Sequence, residues 1–183
     1  AYGNQMSSYL KNLENQKVTA RNALLGQRNQ SLNQSQTQSL SAYMQWLTTW
    51  GKGEQMTAEK GRVFANCIYD SAEQRGVPVI YLTAVSAKEN AFRNGPGDMN
   101  LKEIAKGRFQ MREPALLHAI QYAQAKKLPG LPRKIPKDFV RNIEVQCRFA
   151  AHYLGLLYDV SNRYLFSTIR GYNGGPSTTD PNT

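Results

Sequence analysis

Cysteine and histidine are scarce in this chain. Cys67 and Cys147 stand 80 residues apart, and His118 and His152 are its only imidazoles. Zinc sites draw four ligands from short, regular spacings, and these four residues fit no such pattern, so a structural metal is set aside. One disulfide or two free thiols remain open. Long apolar runs are missing too. The longest, Val77 to Val85, is interrupted by Pro78, Tyr81 and Thr83, far short of the ~18 residues a membrane span needs. There is no charged-then-apolar signal segment, and the start at Ala1 reads as a processed or trimmed form. No segment alternates apolar and polar residues between hairpin turns, so strands are not expected. Acidic residues are outnumbered, 13 Asp+Glu against 23 Lys+Arg, for a net charge of +10. Such a balance favours a polyanionic partner. Nucleic acid, anionic lipid and anionic cell-wall polymer all qualify.

What is present suggests one domain with a modest appendage, since domains average ~100–200 residues. A chain of 183 residues can bury ~70% of its unfolded surface without metal or a dense disulfide framework. Composition changes near residue 51. Residues 1–50 hold no proline and two glycines, and are crowded with Gln, Asn and Ser, as in Gln27 to Gln36. So polar a tract has few large apolar groups to offset its ordering entropy. Leu40, Tyr43, Met44 and Leu47 nevertheless recur at i, i+3, i+4, i+7, with Trp50 close by, as one helical stripe. Gly51-Lys52-Gly53 then ends the helix. Residues 1–36 read as a mobile or partner-dependent arm, and 37–50 as a helix with a face to dock.

From residue 54 onward the pattern is all-α. Thr57 is a candidate N-cap for a helix carrying Val63, Phe64, Cys67 and Ile68, with Gly76 as its C-cap. Pro78 suits the first turn of a helix running to about Phe92, and 93–98 must be a loop. A further helix is expected from Glu113 to Lys127, then a stiff connector with Pro129, Pro132 and Pro136. The longest helix should begin near Asp138 and carry Ile143, Cys147, Ala150, Leu154 and Leu157. Cys67 and Cys147 both fall on core-facing stripes and should lie near each other.

Within the second helix, Glu89 lies four residues after Val85, seven after Leu82 and three before Phe92. A carboxylate on the edge of that apolar stripe loses hydration, which favours its protonated form, the state a general acid needs. The competing reading is a solvated i,i+4 ion pair with Arg93. Two other segments bear on the choice. Lys106-Gly107-Arg108-Phe109-Gln110-Met111 sets an aromatic beside an amide after a glycine turn. Gly171-Tyr172-Asn173-Gly174-Gly175-Pro176 does the same before a glycine-rich break. Aromatic plus amide suits sugars, with an apolar face to stack on and a paired donor and acceptor for hydroxyls or an acetamide.

Taken in order, these segments resemble the lytic transglycosylase family of peptidoglycan-cleaving enzymes, relatives of goose-type lysozyme. The family's Glu-Ser-x-Phe is met by Glu89-Asn90-Ala91-Phe92, and its Gly-Leu-(Met/Phe)-Gln-(Ile/Met) by Gly107-Arg108-Phe109-Gln110-Met111. Its Tyr-Asn-(Ala/Gly)-Gly-Pro is met unchanged by Tyr172 to Pro176, and Tyr153-Leu154-Gly155-Leu156-Leu157 matches its Tyr-Leu-x-x-Leu. The resemblance covers residues 57–176. Three departures stand out. Asn90 replaces a Ser. Arg108 replaces an apolar residue, which would make the cleft wall more basic. Asn142 lies a helical turn too far from Tyr153 to be carried over.

The resemblance implies a lysozyme-like domain over 54–183 preceded by a helical arm over 1–53. It implies cleavage of the β-1,4 bond between N-acetylmuramic acid and N-acetylglucosamine with Glu89 as sole acid and base. Phe109, Gln110, Met111, Tyr172 and Asn173 would contact the sugars, and no metal or organic cofactor would be needed. An ordinary glycosidase uses two carboxylates. Asp98 and Glu103 are the nearby acids, set among Gly, Asn and Lys as solvated residues are. Hydrolysis of the same bond, and a non-catalytic wall-binding role, stay open as alternatives. Nucleic acid is disfavoured as a partner because a single aromatic, Phe139, stands among the basic residues between Lys126 and Arg141. The partners expected are glycan strands in the periplasm or envelope, plus a protein met through residues 1–50. That protein would belong to an envelope-crossing machine for secretion, conjugation or phage entry.

Overall fold

The computed structural model describes residues 15–17, 19, 20, 23, 33–95, 105–161, 168 and 170–172. The chain divides into two units, Ala1–Ser39 and Leu40–Thr183. In the first unit every described residue is helical, and all but the half-buried Thr37 are exposed. Its hydroxyls turn inward on their own helix: Thr19 donates to the Asn15 carbonyl and Thr37 to that of Asn33, both at 2.9 Å, and Ser39 to that of Ser35 at 3.0 Å. Such back-bonding satisfies polar side chains locally and builds no core.

The second unit is all-α. Helical residues 40–49 (α1) open it, fourteen positions ahead of the domain start expected at residue 54. The α1 stripe splits. Leu40 and Met44 are buried in the core and Leu47 packs against it, whereas Tyr43, Trp46 and Trp50 face solvent. Gly61 lets α1 approach the next helix closely, because a Cβ there would stand 2.6 Å from the Ser41 hydroxyl.

Helix α2, Ala58–Arg75, starts where the Thr57 hydroxyl accepts the Lys60 amide at 3.2 Å. It stops at Gly76, whose φ of 72° lets its amide reach back to the Ala72 and Glu73 carbonyls. Helix α3, Val79–Asn90, ends two residues before the expected Phe92 because Ala91 and Phe92 both take left-handed conformations, φ 47° and 63°. Helix α4, Glu113–Ala125, carries Pro114 in its first turn. It ends short of Lys127, which also has positive φ. The expected helix from Asp138 is broken in two. Phe139–Arg141 form a 3₁₀ turn, and Asn142 is extended with its side chain accepting the Val145 amide at 3.1 Å, so α5 runs Ile143–Val160. The side-chain cap starts a new helix where the pattern alone reads as one. Helix α5 is the axis of the fold. Residues 149–157 are buried on every side, and α2, α3 and α4 pack around them.

Cys67 on α2 and Cys147 on α5 are buried free thiols that lie near each other, as their stripes imply. Cys67 also approaches the Ile143 carbonyl, at 3.7 Å. Burial pushes the Cys147 thiol well above its usual range, and the neighbouring Cys67 adds to this. No helix among the described residues is long and apolar enough to cross a membrane.

One buried ion pair ties the elements together. Arg108, almost wholly buried, meets both carboxylate oxygens of Glu54 at 3.1 and 3.2 Å and donates to the Phe92 carbonyl at 2.6 Å. Its guanidinium lies over the Phe64 ring, 5.2 Å from the centroid. The cleft wall therefore does not become basic at Arg108, whose charge is turned inward and neutralised. Partial burial alone would raise the Glu54 carboxyl, but hydrogen bonds from Arg108, the Asn94 amide and Lys60 outweigh it and hold the carboxyl at about 2. His152 is held at about 4, first by burial and then by the charge of Arg75, with a hydrogen bond to the Pro129 main chain opposing.

Replacing Glu54 with Ala leaves Arg108 buried without its counter-ion. Urea unfolding should show a loss of about 3 kcal/mol. The same groups set an acid limit. Both are protonated less readily in the folded chain than in the unfolded one, so the stabilisation is lost as pH falls. His152 contributes a loss between about 6.5 and 4, and Glu54 a further loss between 4.5 and about 2. In melts across this range, Glu54→Gln should remove the lower step and leave the upper.

Candidate active site

Three stretches converge at the end of α3. The first is α3 itself, which carries half-buried Glu89 in its last turn. The backbone then reverses through Ala91 and Phe92, whose amides return to the Ala87 and Ser86 carbonyls at 2.9 and 3.1 Å. A left-handed residue other than glycine costs ~1–2 kcal/mol. Two in succession persist because the Phe92 ring is fully buried, edge-on to Phe64 at 6.2 Å and to Tyr43 at 5.8 Å. Arg93, the i+4 neighbour that could hold Glu89 in a surface ion pair, is committed to the carbonyls of Thr48, Trp50 and Glu54.

The second stretch is the turn from Lys106 to Met111, closed by paired main-chain bonds of 3.0 Å between those two residues. Buried Ser86 of α3 donates to the Arg108 carbonyl at 3.0 Å, so the turn is fastened one helical turn from Glu89. From α5, Gln146 accepts the Arg108 amide at 2.7 Å and donates to the Val140 carbonyl at 2.8 Å. Gly107, φ 73°, has to be glycine there, since a Cβ would sit 2.5 Å from the Gln146 oxygen. Gln110 adopts φ 47° and folds its amide back onto the Gly107 carbonyl at 2.7 Å, where the main chain of Gly95 packs against it.

The third is the helical turn at residues 170–172. The Tyr172 hydroxyl donates to the Phe109 carbonyl, and its ring packs on Tyr153 of α5 with centroids 5.7 Å apart. Burial pushes the Tyr172 phenol well up, and the negative charge of Glu89 pushes it further, with Tyr153 adding a smaller effect. Glu89 and Tyr172, 83 positions apart in sequence, thus lie within electrostatic reach of one another.

The residues named from the sequence therefore divide. Glu89, Gln110 and Tyr172 are each half-buried, in the three stretches that these bonds fasten together. Phe109 and Met111 are core residues, 1% and 2% exposed. The Phe109 ring packs on Phe64 at 5.7 Å, so its contribution is the main-chain carbonyl that Tyr172 holds, and it offers no face to a sugar. Asn173, Asp98 and Glu103 lie outside the described residues. Among those described, no three His, Cys, Asp or Glu side chains come together as metal ligands. Ser86 and Gln146, which hold the turn, were not foreseen. A buried glutamine in the apolar stripe of α5 was the available signal.

Gln146→Ala should strip the partner from the buried Arg108 amide and open space beside Gly107. We expect a stability loss of about 2 kcal/mol in denaturant titration, with the Glu54→Ala loss less than additive on top of it, because both hold Arg108.

Comparison with family models, with curated proteins and with solved structures gives no match.

Proposed function

We propose that this chain cleaves peptidoglycan in the manner of the lytic transglycosylases it resembles. The observation that carries the reading is that the three segments whose motifs carry the resemblance are fastened together, Ser86 of α3 to the Arg108 carbonyl and Tyr172 to the Phe109 carbonyl. In this reading Glu89 gives its proton to the glycosidic oxygen between N-acetylmuramic acid and N-acetylglucosamine. The C1–O bond breaks, and the 2-acetamido group of the muramic acid stabilises the developing cation at C1. Glu89, now a carboxylate, takes the proton of the muramic acid 6-hydroxyl as that oxygen closes on C1. A 1,6-anhydro ring results, no water is consumed, and Glu89 ends protonated as it began.

One carboxyl serves both steps, so a second at glycosidase spacing is not required. Tyr172, fastened to the Phe109 carbonyl, would wall the cleft, and Gln110 would offer its amide to the sugar. The net charge of +10 would hold the protein to a wall whose peptides carry carboxylates. The site of action would be the periplasm or cell envelope, and the first unit, residues 1–39 of the expected arm, would recruit the enzyme to a machine that crosses it.

Glu89→Gln should keep the melting temperature and lower release of soluble muropeptides from purified sacculi at least about a hundredfold. Retention of more than a few per cent of activity would remove Glu89 from the role. Mass spectrometry of the wild-type products decides the reaction: muropeptides lighter by one water mark the anhydro product, and full-mass ones mark hydrolysis. Sacculus binding with no release by either protein would leave a wall-binding component.

A further inference from the structure

Both tryptophans of the chain stand on one surface, with a tyrosine between them and α3. Tyr43, Trp46 and Trp50 are 44%, 56% and 65% exposed. Their rings form a row. Tyr43 and Trp46 stack with centroids 5.9 Å apart and planes at 23°, and Trp46 meets Trp50 edge-on at 6.4 Å. The inner end of the row abuts the candidate active site, where Tyr43 lies edge-on to Phe92, three residues beyond Glu89. The outer end is clamped by Arg93, which donates to the Thr48 and Trp50 carbonyls at 3.1 and 2.6 Å. The Arg93 side chain also packs over Gly51 and Gly53, whose positive φ values turn the chain under it. The main chain at the outer end of the row is thus pinned to the segment that follows α3.

Exposed rings are costly in water, at ~25 cal/mol per Å² of apolar surface, so a row of three calls for an occupant. The chemistry of the row identifies one. Among the described residues the other large exposed apolar side chains, Val63, Ile80, Leu117 and Val160, lie on α2, α3, α4 and α5. A protein-docking face would mix aliphatics with the rings. Here there are only flat rings with an N–H or O–H at the rim, bordered by exposed Thr49 and Lys52. A pyranose offers the complement, an apolar C–H face with hydroxyls around its edge.

We propose that Tyr43, Trp46 and Trp50 form a glycan-stacking platform that grips the polysaccharide strand beyond the bond cut at Glu89. The inference rests on the peptidoglycan reading above and adds to it a surface that favours long strands over short fragments. Because the chain has no other tryptophan, its indole emission reports on this platform alone.

The test uses the full chain carrying Glu89→Gln, so that strands bind without being cut. Titration with soluble, uncross-linked glycan strands should shift the emission to shorter wavelength and saturate. Trp46→Ala/Trp50→Ala, in the same background, should weaken co-sedimentation with sacculi about tenfold. With Glu89 restored, the double variant should raise KM for long strands about tenfold and keep the rate on a tetrasaccharide within twofold. Both rings are exposed, so the melting temperature should hold. Emission unmoved by strands that the wild-type protein cleaves would overturn the platform and leave the activity standing. Emission that moves with protein concentration alone would also overturn it, in favour of a second copy as occupant. A shift on glycan binding without product from the wild-type protein would uphold the platform and reject the cleavage.

Discussion

The Glu54–Arg108 pair is the constraint on which the candidate site depends. A guanidinium buried this deeply is tolerable only with a counter-ion and with its donors engaged. Glu54 supplies two oxygens, Phe92 a carbonyl and the Phe64 ring an aromatic face. Each partner belongs to a different stretch of chain: the segment after α1, the end of α3, and α2. Neutralising one charge therefore fixes three elements around the turn at 106–111. The Glu54 carboxylate also accepts the Asn94 amide and Lys60, so it steers the chain as it leaves Phe92.

Around this pair the backbone is held in conformations it would not choose. Ala91, Phe92 and Gln110 all have positive φ without being glycine, and all three lie next to Glu89 or in the turn that faces it. Left-handed residues of this kind persist only where surrounding contacts over-determine them. Here the contacts are the buried Phe92 ring, the Ser86 hydroxyl on the Arg108 carbonyl, and Gln146 against Gly107. The reversal at Ala91 and Phe92 ends α3 just past Glu89, which stands half-buried in the last turn of the helix. The same reversal brings Phe92 beneath Tyr43 and so couples the aromatic row on α1 to the site.

Much of the fold was legible in the sequence because it depends on local signals. Thr57, Gly76, Pro78 and Pro114 mark helix ends through backbone chemistry that operates within a few residues, and apolar periodicity assigned Cys67 and Cys147 to facing stripes. Boundaries set by tertiary contacts were less legible. The α3 terminus depends on where the Phe92 ring is buried, and the start of α5 on one asparagine capping its own helix. Phe109 illustrates the limit at the site. Its motif position suggested a ring for sugars, but periodicity cannot tell an aromatic that faces a cleft from one that turns into the core within a tight turn.

Composition and pattern by themselves determined the all-α class, the basic balance, the polar arm and the residues whose order resembles a transglycosylase. These are properties of neighbours along the chain, and a helix, a cap or a net charge needs nothing more distant. Only the tertiary structure decided that Arg108 turns inward to Glu54, that Tyr172 comes within electrostatic reach of Glu89, and that the α1 stripe divides into buried Leu40 and Met44 and exposed Tyr43 and Trp50, with Trp46 joining the exposed rings. Those outcomes depend on pairs 54, 83 and more than 40 positions apart, brought together by burial of charge and aromatic surface. No local preference encodes such a meeting, because its free energy exists only once both partners have left water.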